Sequence, residues 1–325
     1  HLLSRRQRQM CIRDRYITCI NADFSDADPD CLVVTPRGNW TGKTKGGLIL
    51  SHDQGRTFRR LPMPFGLSKE LDEALHFIEC PNVNSGWVAL SPDTKHIVWS
   101  VADGIDLPIS RLLVSHDGGE TFSFGKVYDL QGSQVIKGRL KVYADRMDSS
   151  LFYGWGDHSD FYISHDSGST YHQYPLPDEF PVVNFGLIDC ANRTEIRGET
   201  GKTGTFYIAT GQGGLWKLIY TPDKDTVTLR RLSAEGDAIY RMGLGLGAPD
   251  VDYYKDNKAI YCNGIIDGEY GFYRSLDDGE SFERLNTDRQ MYGEINSIDG
   301  DCRVFGRFYL ATGSNGIKYG SIQKP

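Results

Sequence analysis

Ser115-His-Asp-Gly-Gly-Glu-Thr-Phe122 decides the fold of this chain, because the same eight-residue figure occurs three more times. The other copies are Ser51-His-Asp-Gln-Gly-Arg-Thr-Phe58, Ser164-His-Asp-Ser-Gly-Ser-Thr-Tyr171 and Ser275-Leu-Asp-Asp-Gly-Glu-Ser-Phe282. The shared pattern, Ser-x-Asp-x-Gly-x-(Thr/Ser)-aromatic, is an Asp box, and each position has a mechanical use in a tight turn between strands. Ser51, Ser115, Ser164 and Ser275 open the turns. The carboxylates of Asp53, Asp117, Asp166 and Asp277 can accept bonds from the backbone amides just downstream. Gly55, Gly119, Gly168 and Gly279 can take a positive φ without steric cost. Phe58, Phe122, Tyr171 and Phe282 begin the outgoing strand with the ring directed into the core. Four copies of one hairpin turn mean a repeat architecture.

The boxes start 64, 49 and 111 residues apart. The last gap is two repeats, so one unit carries a degenerate turn. It reads as strands over 206–210 and 215–220, a loop over 221–226, and a strand over 227–229. Short β-rich runs fill the other units, for example 31–34, 87–90, 97–101, 139–143, 259–262 and 308–312. One brief helix is expected over 68–75. Units of about 45–60 residues with four short strands have the spacing of propeller blades. The expectation is an all-β, Asp-box β-propeller with about six blades visible of an incomplete seven-bladed ring. Residues 16–325 form that single domain, and its closing strand is expected upstream of Tyr16. Residues 1–15 (HLLSRRQRQMCIRDR) carry five arginines and no strand alternation, and read as a non-native or disordered stretch.

Composition removes several function classes. The formal net charge is −7 and no stretch gathers Lys and Arg on one face, so no nucleic-acid partner is expected. No apolar run approaches the roughly 20 residues of a membrane span. No cofactor is expected. Gly201-Lys-Thr203 and Gly42-Lys-Thr44 have Ile196 and Arg37 where a phosphate-binding loop needs glycine, and the glycines of 243–247 lack dinucleotide spacing. The three Ser-His-Asp triplets are not triads, because neighbours along a strand point to opposite faces. The Asp-rich stretches 21–30 and 299–301 read as solvated turns rather than calcium loops, and no metal ligand is assigned. The seven cysteines show no C-x-x-C pair and no zinc-like His/Cys spacing. They are either buried free thiols or disulfides, with Cys19–Cys31 the most local candidate pair. Sequons at Asn39 and Asn192 would suit a secreted protein.

Beyond the boxes, an ordered set of segments resembles glycoside hydrolase family 74, the xyloglucanases, over about residues 16–319. They include Ser91-Pro-Asp with Val98-Trp-Ser100, Ala209-Thr-Gly-Gln-Gly-Gly-Leu-Trp216, Tyr240-Arg-Met-Gly-Leu-Gly-Leu-Gly-Ala248 and the tail from Gln290-Met-Tyr-Gly-Glu-Ile to Gly316-Ile-Lys-Tyr-Gly320. The resemblance is to the C-terminal propeller of a two-propeller, inverting endo-β-1,4-glucanase. It implies a secreted, extracellular enzyme acting on xyloglucan or a related β-glucan, with a missing N-terminal propeller of the same polypeptide as partner. In such enzymes the catalytic acid lies in a Gly-Asp-x-Gly-Gly-(Phe/Trp) segment, which this sequence lacks, so no catalytic residue is assigned and the chain alone is expected to be inactive. Trp99, Trp155 and Tyr292 stand beside Gly, Asp or Ser in loop-like contexts and are the candidates for stacking on sugar rings. The alternative is a non-catalytic propeller, sortilin-like or sialidase-like, that binds carbohydrate or protein.

Overall fold

The computed structural model describes residues 18–37, 47–61, 86–101, 112–135, 140–156, 160–181, 195–313 and 315–321. The expectations for residues 1–15, the helix over 68–75, both sequons, the 42–44 loop and Cys11, Cys80 and Cys190 lie outside the described residues. The chain divides into two compact units, His1–Pro175 and Leu176–Pro325. The described residues form an all-β propeller of six blades, three in each unit.

In the first unit, blade one is β1 (Thr18–Phe24), β2 (Leu32–Arg37), β3 (Ile49–Ser51) and β4 (Arg59–Arg60). Blade two is β5 (Trp87–Leu90), β6 (Ile97–Ser100), β7 (Leu112–Ser115) and β8 (Ser123–Phe124). After β9 (Lys126–Tyr128), blade three is β10 (Lys141–Ala144), β11 (Phe152–Trp155), β12 (Phe161–Ser164) and β13 (Thr170–Tyr174). Each blade is an antiparallel meander in chain order. Only β9 breaks the pattern, pairing parallel with the far edge of β13, a fifth strand that the repeat does not announce.

In the second unit, blade four is β14 (Glu195–Gly198), β15 (Thr205–Ala209), β16 (Leu215–Thr221) and β17 (Thr226–Arg231). Blade five is β18 (Ala238–Leu246), β19 (Lys258–Ile266), β20 (Glu269–Ser275) and β21 (Glu283–Arg284). Blade six has three strands, β22 (Ile295–Gly300), β23 (Arg307–Thr312) and β24 (Ile317–Ser321).

The hydrophobic pattern explains this layering. Middle strands are sandwiched between neighbouring blades and read as unbroken apolar runs, as in the fully buried β6 and β7. The fourth strands β4, β17 and β21 face solvent, and β17 alternates exposed and half-buried residues throughout. Successive residues of one middle strand serve two cores. Ile97 and Trp99 of β6 pack with Val33, Leu50 and Phe122 between blades one and two, whereas Val98 joins Val142, Phe152 and Tyr171 between blades two and three. First strands lie against each other, β1 on β5 and β5 on β10 in one unit, β14 on β18 and β18 on β22 in the other. Side chains satisfy their free edges: Asp23 accepts from the Leu90 amide at 2.9 Å, and Glu195 from the Met242 amide at 3.1 Å.

All four Ser-x-Asp-x-Gly turns share one hydrogen-bond scheme. In the first, Ser51 Oγ donates to Asp53 at 2.7 Å and accepts from the Gly55 amide at 2.9 Å, while Asp53 accepts from the Thr57 amide at 2.8 Å. The last repeats it with 2.7, 2.8 and 2.9 Å at Ser275, Gly279 and Ser281. The glycine has two reasons to be glycine. Gly168 has φ +87°, and a Cβ there would lie 2.1 Å from Val98 Cγ2 of the preceding blade. The aromatic position is less uniform than expected: Tyr171 is fully buried and Phe122 nearly so, but Phe58 is 43 % exposed. Blade four replaces the figure with a 3-10 turn at Pro222–Lys224, closed by Asp225 in the left-handed region.

Candidate functional site

In the four blades that carry it, the Ser-x-Asp-x-Gly turn shares an end with the turn between the first two strands. The loop between the second and third strands and the connection to the next blade lie at the other end, where loops are freer to carry ligand contacts. In the second unit this end contributes the connection 285–294. It leads from β21 past a groove of about 320 Å³ lined by β20, β21, β23, β24 and the connection itself.

Tyr292 belongs to this groove. Its ring stacks on Phe272 of β20 at 6.2 Å between centroids and 17° between planes, and both rings line the cavity with Tyr319 and Phe308. Tyr319, on β24, is 72 % exposed. The connection is held in shape by its own polar groups. Asn286 Oδ1 accepts from the Phe272 amide at 2.8 Å, and Gln290 Oε1 accepts from the Thr287 amide at 3.0 Å. Arg284 is anchored to the Tyr270 carbonyl at 2.9 Å and to Asp288 at 2.8 Å, and the Asp288 carboxylate raises its pKa further. The groove therefore sets the rings of Tyr292 and Tyr319 beside amide and guanidinium groups. One carboxylate, Glu283, lines it, and that group is paired with Arg274 at 2.7 Å.

The other two aromatic candidates are placed differently. Trp99 is 1 % exposed in the core between blades one and two, and Trp155 is 1 % exposed against Phe161 at 4.7 Å. A stacking platform needs an open ring face, and neither has one, so these two are corrected to core residues. The local context misled because Ser100 beside Trp99 and Gly154 beside Trp155 belong to all-buried second strands, where small neighbours mark close packing rather than a loop. Tyr319 was missed. The exposed positions Ile317 and Tyr319, two apart on one strand, were the available signal.

The cysteine expectation also changes. Cys19 and Cys31 are free thiols. Strand register explains it: Cys19 lies opposite Pro36, while the residue after Cys31 lies opposite Phe24, at the other end of the β1–β2 pair. Burial and the adjacent Asp28 carboxylate push the Cys31 thiol up to about 11.

Blades joined by tandem strand meanders and a shared turn define the class: a β-propeller. No family model matches the chain. A xyloglucanase of Acetivibrio thermocellus is 33 % identical over 307 residues, covering 94 % of this chain and 30 % of the relative. A xyloglucanase of Paenibacillus is 27 % identical over 310 residues, covering 94 % and 26 %. The crystal structure of the GH74 xyloglucanase from Xanthomonas campestris matches the fold with a TM-score of 0.66 at 22 % identity, over 93 % of this chain and 37 % of that one. The chain belongs to glycoside hydrolase family 74, and it spans about 30 % of the length of the first of these relatives.

Proposed function

We propose that this chain is the polymer-engaging propeller of an extracellular, xyloglucan-degrading hydrolase, and that it binds β-1,4-glucan without cleaving it alone. The observation that carries the binding is the Tyr292 groove, where stacked and exposed aromatic rings stand beside amide donors. The substrate class is supported by relatives that bear the name xyloglucanase. The lack of cleavage is supported by chemistry. An inverting glycosidase holds two carboxyl groups about 6.5–9.5 Å apart across the scissile bond, and the groove has one, already bound to Arg274. The missing carboxylates would come from the rest of the polypeptide, and a polymer too large to enter cells sets the site of action outside them.

Affinity electrophoresis in gels containing xyloglucan tests the binding, and a reducing-sugar assay on the same preparation tests the inactivity. The expected result is retarded migration without sugar release. Unretarded migration would refute binding, and sugar release would refute inactivity.

A further inference from the structure

We propose that Asp28, Cys31 and His52 form a zinc-binding site that staples two turns of the first blade. A carboxylate oxygen of Asp28, Cys31 Sγ and a ring nitrogen of His52 all lie within 4.8 Å of one another. Asp28 and Cys31 come from the turn between β1 and β2, where the Cys31 amide donates to the Asp28 carbonyl at 2.9 Å. His52 comes from the turn after β3.

Strand register creates the meeting. Leu32 pairs with Ser51, so the residue before Leu32 and the residue after Ser51 stand side by side. The same register recurs in other blades, with Ile97 opposite Ser115, Phe152 opposite Ser164 and Ile260 opposite Ser275. An aspartate stands four residues before the first partner of each of these pairs: Asp28, Asp93, Asp148 and Asp256. What varies is the filling. Blade three places Leu151 beside His165, and blade five Ala259 beside Leu276. Blade two places His96 beside His116, and their Nδ1 atoms bond to each other at 2.9 Å. Among the described residues, blade one alone brings three ligand donors together.

The donor set selects the ion. One sulfur, one imidazole and one carboxylate suit tetrahedral zinc with water as fourth ligand, whereas calcium and magnesium take oxygen ligands. Zinc bonds of about 2.0–2.3 Å put donors about 3.5 Å apart, so the side chains must close by little more than an ångström. Asp28 and His52 are exposed and able to move. Cys31 is fixed in the core, and the turns are already tied, since Gln54 donates through its backbone and side-chain nitrogens to Asp30 at 3.1 and 2.6 Å. On binding, the thiol proton leaves to solvent and the thiolate forms the metal bond. The spacing 28, 31, 52 resembles no linear zinc motif, because the third ligand arrives through strand pairing.

The test uses the full chain. Cobalt(II) titration should give one ion per chain and a thiolate-to-cobalt charge-transfer band that zinc displaces. Cys31→Ser should abolish the band. His52→Gln, at an exposed position, should weaken zinc binding at least roughly tenfold with the metal-free melting temperature unchanged. His116→Gln should bind zinc as the parent does. Absence of the band in the parent chain would overturn the site. So would a band that survives Cys31→Ser, or parental zinc affinity in His52→Gln, which decides the matter if Cys31→Ser fails to fold.

Discussion

Lys217 Nζ lies 2.8 and 2.9 Å from the two carboxylate oxygens of Asp278, joining the blade that lacks the Ser-x-Asp-x-Gly turn to the turn of the next blade. Asp278 immediately follows Asp277 in that turn and holds φ at 57°. Tyr207 OH, 2.7 Å from Asp278, accepts from Lys217 at 2.9 Å, and buried Glu199 stands 3.6 Å from the same ammonium. Arg230 adds a bond to Asp278 at 2.7 Å from the solvent side. Burial, then the two carboxylates around it, drive the Tyr207 pKa far above its ordinary value, so the phenol stays a donor. Blade four has lost its own turn, and blade five's turn grips it.

Lys217→Met should therefore destabilise the chain by about 2–3 kcal/mol in urea denaturation. Removing one partner of a buried pair usually costs about 3–5 kcal/mol. The expected loss is smaller because Lys202 still pairs with Glu199 and Asp278 keeps Arg230. An effect below about 0.5 kcal/mol, the scale of an exposed ion pair, would show that the cluster contributes no more than surface charges do.

Acid should loosen the turns within a defined window. Hydrogen bonds from the Thr57 hydroxyl and amide and from Ser51 lower the Asp53 pKa from 3.8 to about 2, and Ser281 and Ser275 do the same for Asp277. A depressed folded-state pKa means that the stabilisation is complete above the unfolded value near 4 and lost as pH falls towards 2. Urea midpoints measured from pH 6 to pH 2 should drop in that interval. The drop should be shallower in Asp53→Asn and Asp277→Asn, and an unchanged slope in both variants would remove the turns as its source.

The two kinds of glycine make a matched comparison. Gly132 has φ +76° and nothing within 4 Å of an added Cβ, so Gly132→Ala should cost about 1 kcal/mol for the left-handed backbone alone. Gly168→Ala adds the overlap with Val98 Cγ2, and its cost should reach about 3 kcal/mol or more. Equal losses in the two variants would mean that the blades separate easily at this contact.

The spacing of the boxes made the blade count legible, and with it the blade whose turn had degenerated, because turn chemistry is local and recurs. Buried strands such as 87–90 and 97–100 were equally visible as apolar runs. The parallel strand β9 was not, since three residues carry no period and their partner lies more than forty positions away. Trp99 shows the same limit at the site. Its neighbours mark a strand end, while its burial depends on Val33 and Leu50 of another blade. Tyr292 could be singled out from its Gly-flanked connection, but its partner Phe272 and the exposed Tyr319 become neighbours only through the packing of blades five and six.

Those placements separate binding from folding in a single comparison. Tyr292 is half-buried on a connection and stacks on Phe272, so Tyr292→Ala should cost only about 1 kcal/mol of stability, the scale of one aromatic stack, and reduce retardation in xyloglucan gels by roughly tenfold in apparent affinity. Trp99 sits in the core, so Trp99→Ala should lose about 3–5 kcal/mol of stability, and any loss of binding should follow unfolding. Affinity electrophoresis paired with thermal melts reads both. If Trp99→Ala melted like the parent and still lost retardation, the ring would be a contact after all, and the groove beside Tyr292 would not be the binding face.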